Sequence, residues 1–427
     1  MNDTSTVPAG YLRPRARAAT GRRLVFVIDR LAGRGGGAER VLIETANALA
    51  ARGHLVEIIT HERSSDTPFY PLAPGVMLTR LRPPRPYWPA PFDRIRGPIE
   101  RHGHHLPGLA HLAWLSRHGG FWRRLARYLE VTRPDAVCAF LPPSIMALAY
   151  ATERLRARGV VIPVLASTHN APEQDFTNPE RWGPGRLDRA RRHAALDRMD
   201  RIAVLLPDYV AWHGPERADR VVVMPNAITP VAPTARARPD TSRIVLSVGR
   251  LAAVKRHDLL IAAWAELAHA FPDWQLHIYG HGPLDHELSR RIHQAGLDHC
   301  IRLMGESRDI QKAYRTGALL AHPAAFEGFP LAVCEALAAG LPVMGFADCS
   351  GTNALVRDGE TGLLLPGGDR VARVAALANG LKRLMSDPDA RVAMGKRAPE
   401  SMRAYAPRIV MAQWETLLLG LGGEVRT

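Results

Sequence analysis

Residues 321–346, A-H-P-A-A-F-E-G-F-P-L-A-V-C-E-A-L-A-A-G-L-P-V-M-G-F, constrain the fold more than any other stretch. A short apolar strand, Gly317–Ala321, runs into a small-residue turn carrying Glu327, Gly328, Phe329 and Pro330. Pro330 suits the first helical position, where its missing N–H costs nothing. Gly340 and Pro342 stop the helix, and Val343–Phe346 reads as the next strand. Two carboxylates are thus held eight positions apart, Glu327 in the loop and Glu335 about one turn into the helix. Gly328 removes a Cβ where something must come close to the backbone. The N–H groups of the helix start, near Phe329 to Ala332, form a natural anion site. A helix start that can take phosphate, with carboxylates on either side that can take hydroxyls, suits a sugar nucleotide.

The rest of the chain sets bounds. With 46% hydrophobic residues over 427 positions, two or three domains with sizeable cores can form. No stretch approaches eighteen uninterrupted apolar residues, so no transmembrane helix is expected. Residues 1–21 lack a secretory apolar core and read as a disordered basic tail. Cys138, Cys300, Cys334 and Cys349 are widely spaced, which fits reduced thiols in a cytosol. The net charge is +15, and lysine occurs only at 255, 312, 382 and 396, against 52 arginines. A lysine in such a chain marks a place where a compact ammonium is wanted.

In chain order, residues 24–29 form an apolar strand, Val41–Ala50 an amphipathic helix and Leu55–Thr60 a second strand, a βαβ unit. Between them, Gly33-x-Gly35-x-x-Ala38 formally fits a dinucleotide fingerprint, with Glu57 or Glu62 where its acid would lie. The alternative is a Gly-rich loop lining an interdomain cleft. Residues 80–133 carry eleven arginines against three acids, over half the net charge, interleaved with Tyr87, Trp88, Phe92, Trp114, Phe121 and Trp122. Cationic and aromatic residues mixed in this way suit an anionic bilayer surface, and a solvated arginine-rich face is the plainer reading. Strands at Ala136–Leu141, Val160–Ser167, Ile202–Leu205 and Val221–Met224 follow, with helices near Ser144–Arg156 and Arg181–Met199. His169 sits at a strand C-terminus, where open α/β sheets place ligands. Residues 229–242 read as a linker.

The second half begins with the strand Arg243–Val248, and the helix Leu259–His269 follows. The intervening loop carries Gly249, Arg250 and Lys255. Both cations can serve a departing diphosphate, Arg through two oxygens and Lys as a point charge. Trp274–Tyr279, Ile301–Met304 and Gly362–Leu365 read as further strands, with helices at Leu284–Ala295 and near Val371–Met385. Strand–helix alternation in both halves predicts an α/β protein of two Rossmann-like, doubly wound parallel-sheet domains facing one cleft. The expected divisions are 22–228, the linker 229–242, 243–405, and a helix in 406–427 that crosses back to the first domain.

The phrase F-E-G-F-P-L-A-V-C-E-A-L-A-A-G-L-P-V resembles the signature of family 4 glycosyltransferases, retaining enzymes of the GT-B fold. G-G-G-A-E-R-V-L-I-E-T-A-N-A-L is similar to the family's first loop, M-P-N-A-I to its exit from the first domain, and S-V-G-R-L-x-x-V-K-R-H-D-L-L-I to its second phosphate motif. The resemblance runs from about 22 to 405. It implies that Glu335 binds ribose hydroxyls, and that Glu327 with the backbone of Gly328, Phe329, Pro330 and Leu331 holds the sugar and β-phosphate. Arg250 and Lys255 stabilise the leaving diphosphate, and Gly305 and Glu306 lie near the base. His169 and the Gly36-Gly37 backbone line the sugar from the other domain.

The expected function is transfer of a hexose from a nucleoside diphosphate sugar, a UDP-linked galactose, glucose or N-acetylated form, to a lipid-linked glycan in cell-surface polysaccharide or lipopolysaccharide synthesis. The expected setting is cytoplasmic, peripheral at the inner membrane face through residues 80–133. No cofactor, no essential metal and no nucleic-acid partner are expected. The one Asp-x-Asp, Asp387-Pro388-Asp389, lies away from every motif. Three alternatives stay open: a sugar-nucleotide epimerase on the same fold, an NAD-dependent oxidoreductase resting on Gly33–Ala38, and a basic nucleic-acid-binding protein.

Overall fold

A computed structural model describes residues 21–62, 66–82, 98–99, 103–105, 108–179, 181–183, 185–232, 240–307 and 309–421. The expected basic tail, apart from Gly21, and Tyr87, Trp88 and Phe92 lie outside the described residues.

The chain builds two sheets. The first domain contains β1 (Arg23–Ile28), α1 (Gly37–Ala51), β2 (Leu55–Thr60), β3 (Val76–Arg80), α2 (Ala110–Thr132), β4 (Ala136–Phe140) and α3 (Pro142–Arg156). It continues with β5 (Val164–Ser167), α4 (Arg186–Ala195), β6 (Arg201–Val204) and β7 (Val221–Val223). The second contains β8 (Ile244–Val248), α5 (His257–Leu267), β9 (Gln275–Tyr279), α6 (Asp285–Gln294), β10 (Ile301–Gly305) and α7 (Ile310–Thr316). Then come β11 (Leu319–His322), α8 (Leu331–Ala338), β12 (Val343–Phe346), α9 (Ser350–Asn353), β13 (Gly362–Leu365), α10 (Arg370–Ser386), α11 (Pro388–Ser401) and α12 (Pro407–Leu421).

Both sheets are wholly parallel, ordered β3-β2-β1-β4-β5-β6-β7 and β10-β9-β8-β11-β12-β13. Strand order reverses between β1 and β4 in one sheet and between β8 and β11 in the other. Ligands of open α/β sheets bind beyond the strand carboxyl ends at such points. The strands are apolar along their length because helices cover both faces. Phe26, Val27, Leu246 and Met344, for example, are fully buried.

Helix α12 packs back on the first sheet. Val410, Met411, Trp414, Leu418 and Leu421 share a core with Leu24, Phe26 and Leu42. His54 Nε2 lies 2.9 Å from Glu415 Oε1. A second apolar cluster joins the domains, combining Phe176 and Tyr209 with Phe329, Val333 and Leu337.

Several boundaries differ from the expectations. Helix α1 starts at Gly37, four residues before the apolar stripe that announces it. Strand β5 begins after Pro163, which has no N–H for a ladder. The expected helix over Arg181–Met199 is regular only over Arg186–Ala195. Pro330 is the N-cap of α8, extended at φ −68° and ψ 101°, not its first helical residue. The described aromatics of residues 80–133 also turn inward. Trp114 (5% exposed) and Phe121 (4%) lie in the core where α2 packs, so these two rings face no bilayer.

Candidate active site

The site assembles where the two switch points meet. From the second sheet, the loop after β8 carries Gly249, Arg250 and Lys255, and the loop after β11 carries Glu327 and Gly328. A backbone bond knits the loops together, Ala325 N–H donating to Val254 O at 2.8 Å. Lys255 Nζ donates to Glu327 Oε1, with side chains only 18% and 16% exposed. His322, at the end of β11 and almost fully buried, places Nε2 at 3.2 Å from the same oxygen. Burial alone would raise the Glu327 carboxyl. Lys255 and His322 override it and hold the group down to about 2. Glu327 is therefore a fixed carboxylate, hydrogen-bonded by Lys255 and lying close to the His322 ring. Arg250 is exposed and forms no ion pair among the described residues.

Glycine sets the spacing on both sides. A Cβ on Gly280 (φ +136°) would lie 2.0 Å from Gly249 O, so the loops after β8 and β9 touch backbone to backbone. A Cβ on Gly328 would fall 2.5 Å from His169 O and 2.6 Å from Asn170 Cα. The close approach that Gly328 allows is thus to the chain's own opposite domain.

That domain contributes more than the two loops expected of it. Tyr209 OH donates toward the carbonyls of Glu327 (2.8 Å) and Gly328 (3.0 Å) and lies 3.3 Å from Ser350 Oγ. Ser350 Oγ donates to Glu327 O at 3.1 Å. The loop of Gly36 and Gly37 faces α8, where Leu331 Cδ1 would sit 3.6 Å from a Cβ on Gly37. Leu331 and Ala332 open α8 without intrahelical acceptors for their N–H groups, as at any helix start. Phe329 turns its ring edge-on to Tyr405, with 5.3 Å between centroids.

His169 is buried at the end of β5, stacked on Phe140 at 4.6 Å, with Nε2 2.9 Å from Ser167 Oγ. Its Nδ1 is buried without a hydrogen-bond partner. Burial lowers its pKa to about 3, so the imidazole is neutral at ordinary pH. It can accept or donate a hydrogen bond there but supplies no positive charge.

Glu335 is nearly buried, and both of its oxygens have partners in this structure. Arg40 Nη1, from α1 across the cleft, donates to Oε1 at 2.5 Å, and Tyr314 OH donates to Oε2 at 3.0 Å. Burial would lower the Arg40 guanidinium, but Glu335 and Glu44 raise it above its ordinary range. Gly305 (φ +69°) ends β10, and Glu306 is exposed beyond it.

Sequence reasoning missed His322, Tyr209, Arg40 and Tyr314. His322 had a signal, since it ends a strand at a switch point. Arg40 lies inside the quoted G-G-G-A-E-R run but carried no assigned role. Tyr209 and Tyr314 had none, because only folding brings them to Glu327 and Glu335.

The acids of the dinucleotide reading are committed elsewhere. Glu62 Oε2 accepts from Leu31 N (3.1 Å) and Ala32 N (3.0 Å). Glu57 is buried, accepting from Thr79 Oγ1 at 2.5 Å and from Tyr128. Glu57 is thus fully engaged, while Glu62 Oε1 is buried without a hydrogen-bond partner. Asp387 Oδ1 caps α11, accepting from Ala390 N at 2.8 Å.

Residues 35–231 match the family described as Glycosyltransferase Family 4, and residues 232–401 match Glycosyl transferases group 1. An exopolysaccharide phosphotransferase of Streptomyces coelicolor is 30% identical over 259 residues, 59% of this chain and 27% of that protein. The Campylobacter jejuni N-acetylgalactosamine-N,N'-diacetylbacillosaminyl-diphospho-undecaprenol 4-alpha-N-acetylgalactosaminyltransferase is 32% identical over 163 residues, 38% of this chain and 43% of that one. The chain spans 27% to 63% of the length of the curated relatives it matches. Anabaena HepE, solved with UDP and glucose, superposes with a TM-score of 0.68 at 17% identity, covering 93% of this chain and 100% of that one. Two parallel α/β domains with this topology, and family matches that together run from residue 35 to 401, place the chain among the family 4 glycosyltransferases of the GT-B fold.

Proposed function

We propose that the protein transfers a hexosyl group, with retention of configuration, from a UDP-linked sugar to a hydroxyl of a lipid-linked glycan in cell-surface polysaccharide synthesis. The observation that carries this reading is the Lys255–Glu327–His322 cluster, set at the second switch point and facing the His169 loop across the cleft. Glu327, fixed as an anion, takes sugar hydroxyls. Arg250 and Lys255 stabilise charge that develops on the departing diphosphate, helped by the start of α8. Glu335 takes the ribose hydroxyls while Arg40 and Tyr314 orient it. No carboxylate is assigned as a covalent nucleophile, so same-face attack with a leaving phosphate oxygen as base is the expected course.

The lipid-linked acceptor and the UDP donor are supported by the names of the Campylobacter enzyme and the HepE complex. Metal independence is supported by the capping role of Asp387 in the sole Asp-x-Asp. No helix among the described residues is long and apolar enough to cross a membrane. Peripheral attachment at the inner face, through the part of residues 80–133 that lies outside the described residues, completes the reading.

Thermal-shift titration with UDP-, GDP- and ADP-sugars tests it, since a ligand that binds only the folded state raises Tm. A UDP-sugar is expected to stabilise the wild type and to lose that effect in Lys255→Ala. The reading fails if no sugar nucleotide moves Tm, or if the shift survives Lys255→Ala and Glu327→Ala together. Release of epimerised donor without acceptor would instead favour an epimerase.

A further inference from the structure

Beside the donor cleft, the first domain encloses a cavity of about 480 Å³ at the carboxyl ends of β1 and β4. Seven arginines line it: Arg30 and Arg34 after β1, Arg82 after β3, Arg117, Arg123 and Arg124 on α2, and Arg192 on α4. Among the described residues three carboxylates line the cavity with them, and Asp175 acts on Arg192 from behind it; two of the three are engaged. Asp188 is 3.0 Å from both His118 Nε2 and Arg192 Nε, and Asp29 lies 3.6 Å from Arg30. The third, Glu39, is buried. Arg34 is exposed and forms no ion pair among the described residues. Arg192 is the decisive residue. It is 1% exposed and donates through Nη1 to Asp175 O at 2.6 Å, yet its Nη2 is buried with no acceptor. A buried guanidinium donor left without a partner costs free energy unless a ligand supplies one.

The cavity also adjoins the transfer point. Trp182 and Gly183 line it, and their neighbour Arg181 lies over the ring of Phe326, 5.8 Å from its centroid. Phe326 precedes Glu327 in the donor loop. A group held in the cavity is therefore one short segment away from the sugar.

We propose that this cavity seats the acceptor by a phosphate or diphosphate group that the acceptor carries. Guanidinium forks arriving from four separate segments match an anion with several oxygens, because each fork can engage two of them. A neutral glycan would leave the Arg34 charge and the Arg192 Nη2 donor unmatched. The proposal rests on the transferase reading above, and it names the acceptor chemistry without altering the donor assignment.

Calorimetric titration with inorganic pyrophosphate tests it. Arg250→Gln/Lys255→Gln serves as background, so that the donor cations cannot bind the probe. This background is expected to bind pyrophosphate, more weakly as salt is added. Adding Arg34→Gln/Arg123→Gln, both exposed positions that can change without unfolding the chain, should weaken binding at least about tenfold. No binding in the background, or unchanged binding after the cavity substitutions, overturns the proposal. Arg34→Gln/Arg123→Gln alone should keep the wild-type thermal shift with sugar nucleotides, so failure of donor binding registers separately. Geranyl diphosphate and glucose 1-phosphate, titrated into the same background, distinguish a lipid-borne from a soluble phosphate by which binds more tightly than pyrophosphate. If neither binds, the proposal falls.

Discussion

Gly328→Ala probes the arrangement on which the whole site depends. The added Cβ would lie 2.5 Å from His169 O, 2.6 Å from Asn170 Cα and 3.0 Å from Asn170 N. These are backbone atoms, so no rotamer change relieves the overlap. Ordinary contact requires the His169 loop and the Glu327 loop to separate by about 1 Å. Overpacking of this kind costs about 1–3 kcal/mol. The same movement strains the Tyr209 bonds to Glu327 O and Gly328 O. A 1 Å misplacement of reacting groups costs about 100-fold in rate. Gly328→Ala should therefore lower Tm by several degrees and kcat by about two orders of magnitude. Gly420→Ala is the control, because its Cβ would meet nothing within 4 Å. Differential scanning fluorimetry and donor turnover, using the sugar nucleotide that gives the largest thermal shift, provide the readouts. Turnover within twofold of wild type at unchanged Tm would refute the close approach of the two loops.

Four further outcomes are expected. Tyr209→Phe removes the donor shared by two carbonyls of the Glu327 loop and should cost about 1–3 kcal/mol in urea unfolding, with a rise in donor KM; a neutral result would separate Tyr209 from the site. Glu327 is held at about 2 against an ordinary 4.5, so its stabilisation is present above pH 4.5 and is lost as pH falls toward 2. The stability gap between wild type and Glu327→Gln should accordingly shrink by about 3 kcal/mol across that window, and a pH-independent gap would argue against the ion pair. Arg40→Met removes the cross-cleft partner of Glu335 and should raise donor KM more than it lowers kcat; an equal fall in kcat and kcat/KM would assign Arg40 to the transition state instead. Activity should withstand EDTA, and rescue of an EDTA-treated enzyme by magnesium would overturn metal independence.

Much of this architecture is local information. Leu55–Thr60, Val343–Phe346 and Gly362–Leu365 appear in the structure at the bounds their apolar runs predict, because a strand buried on both faces must be apolar along its length. Gly340, at φ +81°, ends α8 in the left-handed conformation that its residue type foretells. Helix starts were less legible. Gly37–Arg40 begins α1 with residues that carry no apolar period, and Pro330 caps α8 where its fixed φ would equally have let it begin the helix.

The order of elements, the pairing of two doubly wound units and the chemical types at the donor loop were thus determined by the sequence itself, through short-range periodicity and turn chemistry. Which partners those groups meet was decided only by the tertiary structure. Arg40 reaches Glu335 across 295 positions, Tyr209 reaches Glu327 across 118, and seven arginines from separate elements converge on one cavity. Periodicity acts over a few residues, while these contacts arise from how segments far apart in sequence are packed together, and no local pattern records that distance.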